Sequence, residues 1–281
     1  MKGRKLENLK IQLMENKLGL VAIFIVIVFV VAASLAFLAP YDPNKVEVTK
    51  GLLKPSGTHF FGTDNLGRDY FTRALYGGRI SLTVGLMSMI ISVVIGTVVG
   101  AISGYFGGKL DNIIMRVIDI LMCIPTFFLI LIINSYLEPG IKNVILVIGF
   151  LSWMSIARIV RAETLSVKER EYVLYSKVSG ETPAKIIIKH IIPSIIPTVI
   201  VTATINIASA ILMESSLSFL GLGVQQPNAS WGSMLKDAQG YIANAAYLSI
   251  FPGVLILLTV LSFNVLGDIL RSAFEPKANK R

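Results

Sequence analysis

Residues 19–39 read GLVAIFIVIVFVVAASLAFLA, a stretch without a single charged side chain. Apolar groups fall on every face of a helix drawn through it, so it has no stripe to turn toward water. A bilayer-spanning helix needs about 20 such residues. Taken from residue 18, this run is the first of six, the others being 80–103, 112–136, 143–160, 194–220 and 247–270. The expected fold is therefore an all-α integral membrane protein with six transmembrane helices. A membrane β-barrel is excluded, because its strands alternate apolar and polar residues over about 10 positions. Composition agrees: the 281 residues are 54% hydrophobic and only 15% charged, more apolar surface than a soluble fold of that length covers.

Basic residues precede the first run, and "SLA" offers small residues in cleavage-site spacing. The apolar core of a secretory signal is only about 7–15 residues long, so an uncleaved membrane anchor is expected. Cys123 is the sole cysteine, which excludes an intramolecular disulfide and a cysteine metal cluster.

The net charge of +9 raises the question of nucleic acid, but in a membrane protein the distribution of Lys and Arg matters more than their sum. With the N-terminus inside, 18 of the 26 basic residues fall on inner segments and eight on outer ones. Both termini are thus expected in the cytoplasm of a multi-pass cell-membrane protein. The surplus is an orientation signal, and nucleic acid has no place in the account. The outer segments would be 40–79, 137–142 and 221–246; the inner ones 104–111, 161–193 and 271–281.

Catalytic motifs are missing. There is no G-x-x-x-x-G-K-[ST] to cradle a nucleotide phosphate, no H-E-x-x-H and no G-x-S-x-G. His59 and His190 fall on opposite sides of the membrane, so no two-histidine metal site is expected. "GLG" at 221–223 follows an apolar helix and reads as a helix terminator. No catalytic, cofactor-binding or metal residues are assigned. An intramembrane enzyme using Glu214 or Asp119 would lack a partner group for acid–base work, and a channel would lack charge rings.

Ionisable groups at membrane depth are functional candidates. Glu214, near the outer end of the fifth run, reads either as a solvated helix end or, with Asn206 and Ser209, as part of a translocation pathway. In the outer loop, Asp64, Arg68, Asp69 and Arg73 have opposite charges at i, i+4 spacing, as a surface ion-pair ladder or a docking surface would. Gly96, Gly100 and Gly104, with Gly85 before them, predict close helix packing. Arg116 and Asp119 are spaced to pair, Pro125 should bend the third span, and Asp268 with Arg271 reads as a terminal pair.

The inner segment holds "EYVLYSKVSGETPAKIIIKHIIPS", residues 171–194. Good helix formers run to Ser179, Gly180 stops them, Thr182 can cap a second helix and Pro183 suits its first position. The result is a helix–Gly–helix elbow with an apolar side that a groove on a partner could grip.

This stretch resembles the coupling loop of ABC importer membrane subunits, with Gly180 at the glycine and Ile191-Ile192-Pro193 at the tail; Leu174, Tyr175 and Ser176 occupy positions where that pattern has Glu-Ala-Ala. "FGTDNLGRDYFTRALYGGRISLTVG" (61–85) and "ESSLSFLGLGVQQPNASWGSML" (214–235) are similar to signatures of the dipeptide/oligopeptide/nickel permease family, C-type subunit. "GYFGGKLDNIIMRVIDILMCIP" and "LGDILRSAFEP" fit it as well. The resemblance implies a type I ABC importer permease that imports di- or oligopeptides, or alternatively nickel or another chelated metal. It implies a second, B-type permease, two cytoplasmic ATPases that bind ATP and Mg, and an extracytoplasmic binding protein, with no cofactor in this chain. Residues 1–79 would be an N-terminal addition comprising the first span and outer loop, and 80–281 a core of five spans. Tyr172, Val173, Tyr175, Ser176, Gly180, Glu181, Thr182, Pro183, His190 and Pro193 would form the ATPase-coupling loop. Asp64, Arg68, Asp69 and Arg73 would serve extracytoplasmic docking.

Overall fold

A computed structural model describes residues 16–274, which form helices and loops; the only strand-like feature is an isolated bridge between Thr63 and Asp69. Helix α1 (Lys17–Ser34) starts at Asn16, whose Oδ1 accepts from the N–H groups of Leu18 and Gly19 at 3.1 and 3.3 Å. Helix α2 (Tyr70–Phe106) starts at Asp69, which accepts from Thr72 N–H at 2.7 Å. Next come α3 (Gly108–Met122), α4 (Thr126–Tyr136) and α5 (Ile141–Val167), then the short α6 (Glu171–Val178) and α7 (Pro183–Ile186). A π-helical turn, Ile187–Ile191, joins α7 to α8 (Ile192–Phe219), and α9 (Trp231–Ala238) and α10 (Tyr247–Phe274) complete the described residues.

Five helical runs are long and apolar enough to cross a membrane: α1, α2, α5, the joined α7–α8 and α10. The third expected span bends at Pro125, as its sequence predicts, and the bend is a full break. Pro125 ends it as one helix, leaving α3 and α4 at 76° to each other; without an N–H, and clashing with the preceding turn, proline breaks the ladder. The pair nevertheless connects opposite ends of the bundle. Asp111 of α3 binds Arg161 near the end of α5, whereas Asn134 of α4 donates to Leu222 O beyond α8. Since Lys168 after α5 donates to Gly104 O near the end of α2, the chain between these helices must return across the bundle. Six crossings follow.

The ends sort accordingly. Tyr247 OH reaches Leu53 O and Thr63 O, and Trp231 Nε1 donates to Ala74 O, so loops 40–69 and 221–246 share one end as a cap. The elbow lies at the other. The helices overrun the hydropathic runs, α2 by ten residues into the cap and α8 back through Pro193 into the elbow. Hydropathy marks the slice that lies in lipid, and hydrogen bonding carries the helix further.

Helices α2 and α5 pack very closely. A Cβ on Gly100 would stand 2.5 Å from Ala157 O, and one on Gly96 or Gly104 would stand 2.7 Å from Ile156 or Thr164. The spacing at four residues thus places a backbone against a neighbour. Two expected pairs do not form. Asp119 binds Arg158 of α5 instead of Arg116, and no ion pair joins Asp268 to Arg271 among the described residues. In both cases the expectation used spacing along one helix. For Asp119 a neighbouring helix decides the partner.

Candidate functional site

The elbow begins with α6, which ends in a Schellman turn. Gly180 has φ +80°, its N–H donates to Lys177 O at 3.2 Å and Glu181 N–H to Ser176 O at 3.1 Å. This satisfies the last carbonyls of α6 and re-aims the chain. Thr182 has the extended backbone of an N-cap and Pro183 takes the first turn, but the Thr182 hydroxyl makes no capping bond. The second helix also does not stop at Pro193. It continues through the π turn, where Ile192 N–H reaches back to Ile187 O, into α8. The elbow and the long helix are one piece.

The two faces of α6 differ. Val173 is buried with Ile186, Ile187, Ile191 and Ile195, in a cluster that also includes Ile156 and Val160 of α5. Above that contact, Tyr172 OH and Ser194 Oγ are 2.7 Å apart, and Ser176 Oγ lies 3.2 Å from His190 Nε2. Glu181 binds Lys185 at 2.6 Å and His190 at 3.0 Å; first the Lys185 contact and then His190 hold its carboxyl below the usual Glu range. The opposite face presents Tyr175, 75% exposed, and Val178, 88% exposed, beside Leu174 and part of Tyr172. Thr182 and Pro183 are exposed as well, and Pro193 lies exposed farther along. Exposed apolar side chains on a charged segment mark a contact surface.

The outer-loop charges are placed otherwise than expected. Asp64, Arg68, Asp69 and Arg73 are all buried. Asp64 accepts from Arg68 Nε at 2.6 Å and from Arg68 and Leu66 N–H at 2.9 Å, with Arg73 Nε at 3.7 Å. Asp69 caps α2 and faces His59 Nδ1 at 2.8 Å, and Arg73 donates to Pro43 O. The four neither form a surface ladder nor present a docking face; they tie the cap to the start of α2. Loop 40–69 folds back on itself, which i, i+4 spacing does not encode.

Glu214 has no exposed surface, so the reading as a solvated helix end is corrected. Ser218 Oγ donates to it at 2.6 Å, Ser81 Oγ at 3.0 Å and Ser215 Oγ at 3.4 Å. Trp231 and Val224 N–H groups in turn donate to Ser81 and Ser218, so the carboxylate holds α2, α8 and the start of α9 together. Sequence reading missed Ser81 because 133 residues separate it from Glu214. Asn206 accepts from Ser92 of α2 at 2.8 Å, and the exposed Ser209 bonds back to Ile205 O. The three pathway candidates thus have separate hydrogen-bond partners.

Two sequence families match. One, described as binding-protein-dependent transport system inner membrane component, covers residues 96–280. The other, described as the N-terminal TM domain of oligopeptide transport permease C, covers 10–55. The dipeptide transport system permease protein DppC of Bacillus subtilis (strain 168) is 41% identical over 271 residues, spanning 96% of this chain and 85% of that protein. The oligopeptide transport system permease protein OppC of Haemophilus influenzae (strain ATCC 51907 / DSM 11121 / KW20 / Rd) is 40% identical, spanning 99% and 90%. Among solved structures, an inward facing conformation of the MetNI methionine ABC transporter aligns with TM-score 0.60 at 21% identity, over 72% of this chain and 96% of that one. That last likeness is one of fold.

Proposed function

The chain belongs to the family of binding-protein-dependent transport system inner membrane components and has the fold of a type I ABC importer permease; from that premise we propose that it moves di- or oligopeptides across the cell membrane as one of two unlike permease subunits. The relatives named for dipeptide and oligopeptide transport support peptide over a chelated metal. A B-type permease completes the pathway, and an extracytoplasmic binding protein delivers the substrate. Two cytoplasmic ATPases bind ATP and Mg. This chain breaks no bond and holds no cofactor. Both termini and the elbow lie in the cytoplasm, where 18 of the 26 basic residues then fall.

The observation behind the coupling role is the two-faced α6. Tyr175 and Val178 stand exposed for an ATPase groove, while Val173 is packed into the helix that becomes α8. Closure of the ATPase pair would push the elbow, and α8 would move with it as one element.

Gly180→Val tests this reading. Nothing lies within 4 Å of a Cβ at Gly180, so the cost is backbone strain alone, about 1–2 kcal/mol at a positive φ. In the complete transporter, membrane abundance should stay near normal while ATPase co-purification and peptide uptake both fall. Normal uptake at equal abundance would remove the coupling role. Uptake of a nickel chelate but not of peptide by the unsubstituted transporter would move the substrate to the metal.

A further inference from the structure

Below the cap, α1, α2, α8 and α10 leave a groove of about 350 Å³ in which Arg79 stands beside Val30, Leu82, Leu86, Ile207 and Phe263. Arg79 is exposed, and its guanidinium makes no hydrogen bond or ion pair among the described residues. Its depth can be read from α1. Ser34, the last residue of that helix, lines the same groove. Eighteen residues rise about 27 Å, close to the roughly 30 Å of a hydrocarbon core, so Arg79 and Ser34 stand at the headgroup boundary. Leu86, seven residues along α2, lies about 10 Å deeper.

We propose that this groove binds an anionic phospholipid, with the phosphate on Arg79 and an acyl chain lying along Val30, Leu86 and Phe263. The guanidinium fork matches two phosphate oxygens, whereas a lysine would offer only a point charge. Below the guanidinium the lining is almost wholly apolar, and the Thr83 hydroxyl is already bonded to Arg79 O at 2.6 Å. A peptide laid there would lose water from its amides without gaining partners. An acyl chain has none to satisfy. A lipid so placed holds α1 against α2 and α10, independently of what the transporter carries.

The complete transporter, reconstituted in phosphatidylcholine vesicles doped with a photoactivatable phosphatidylglycerol, tests the site by mapping labelled peptides. Label should fall on the segments around Val30–Ser34 and Leu82–Leu86. Arg79→Gln should lower it about tenfold, as loss of a charge-assisted contact does, and Arg79→Lys should lower it less. Leu86→Trp, which fills the groove and keeps the charge, should lower it too. Unlabelled phosphatidylglycerol should compete. Equal labelling from a phosphatidylcholine probe, or labelling unchanged in either Arg79→Gln or Leu86→Trp at normal abundance, would overturn the site. Loss of peptide uptake in Arg79→Gln with lipid labelling unchanged would assign Arg79 to the substrate instead.

Discussion

Asp64 faces two arginines in a setting where Asp64 and Arg68 are each 4% exposed and Arg73 only 1%. Removing one member of a buried pair leaves the others charged and unpaired, which costs about 3–5 kcal/mol. Asp64→Ala should therefore lower the thermal unfolding midpoint of the purified transporter and its membrane abundance. A midpoint unchanged, with capture of the binding protein lost, would return this residue to a docking role. Glu181 gives a pH dependence. Its folded pKa is lowered by Lys185 and His190, so the contact is complete above the ordinary Glu value of about 4.3 and is lost only as pH falls through the lower folded value. A ¹³C titration of the Glu181 carboxyl should show a midpoint below that of a free glutamate. A midpoint at or above it would mean that the elbow contact is absent in the membrane.

Between elements, the contact of α2 with α5 sets the limit on change. The backbone of α5 passes where the Gly100 side chain would be, 2.5 Å from an added Cβ. Gly100→Leu must separate the two helices or distort one of them, and overpacking of this kind costs about 1–3 kcal/mol. The expected outcome is a lower unfolding midpoint in detergent. An unchanged midpoint would mean that the helices separate without loss. The elbow behaves differently because its glycine lies in open space. At Gly180 the backbone angle is the constraint, so the effect of substitution should appear in coupling more than in stability. The sequence already separates the two glycines, one ahead of Thr182-Pro183 and one in a four-residue series, and their surroundings show what each constraint is.

For the whole molecule, the cap and the elbow occupy opposite ends, with Ser56 exposed on one and Thr182 on the other. In a Cys123→Ser background, a cysteine at Ser56 should react with an impermeant maleimide in intact cells and one at Thr182 should not; the reverse pattern would invert the topology and the coupling proposal with it. How much of this was legible follows from what each signal measures. Uninterrupted apolar runs determine that the chain crosses a membrane, because lipid leaves the backbone no partner but itself. Gly180 followed by Thr182-Pro183 marks the elbow, and glycines at four-residue intervals mark the close helix contact, since both are local demands of backbone geometry. Partners drawn from distant segments are not local. Pro125 marks where the third span bends, but only the tertiary structure set the angle between α3 and α4 at 76° and carried α8 back through Pro193. It alone buried Asp64, Arg68, Asp69 and Arg73 in the cap and closed three serines around Glu214. A charge's identity is written in the chain, but its solvent and its partner are set by helices that arrive from far along it.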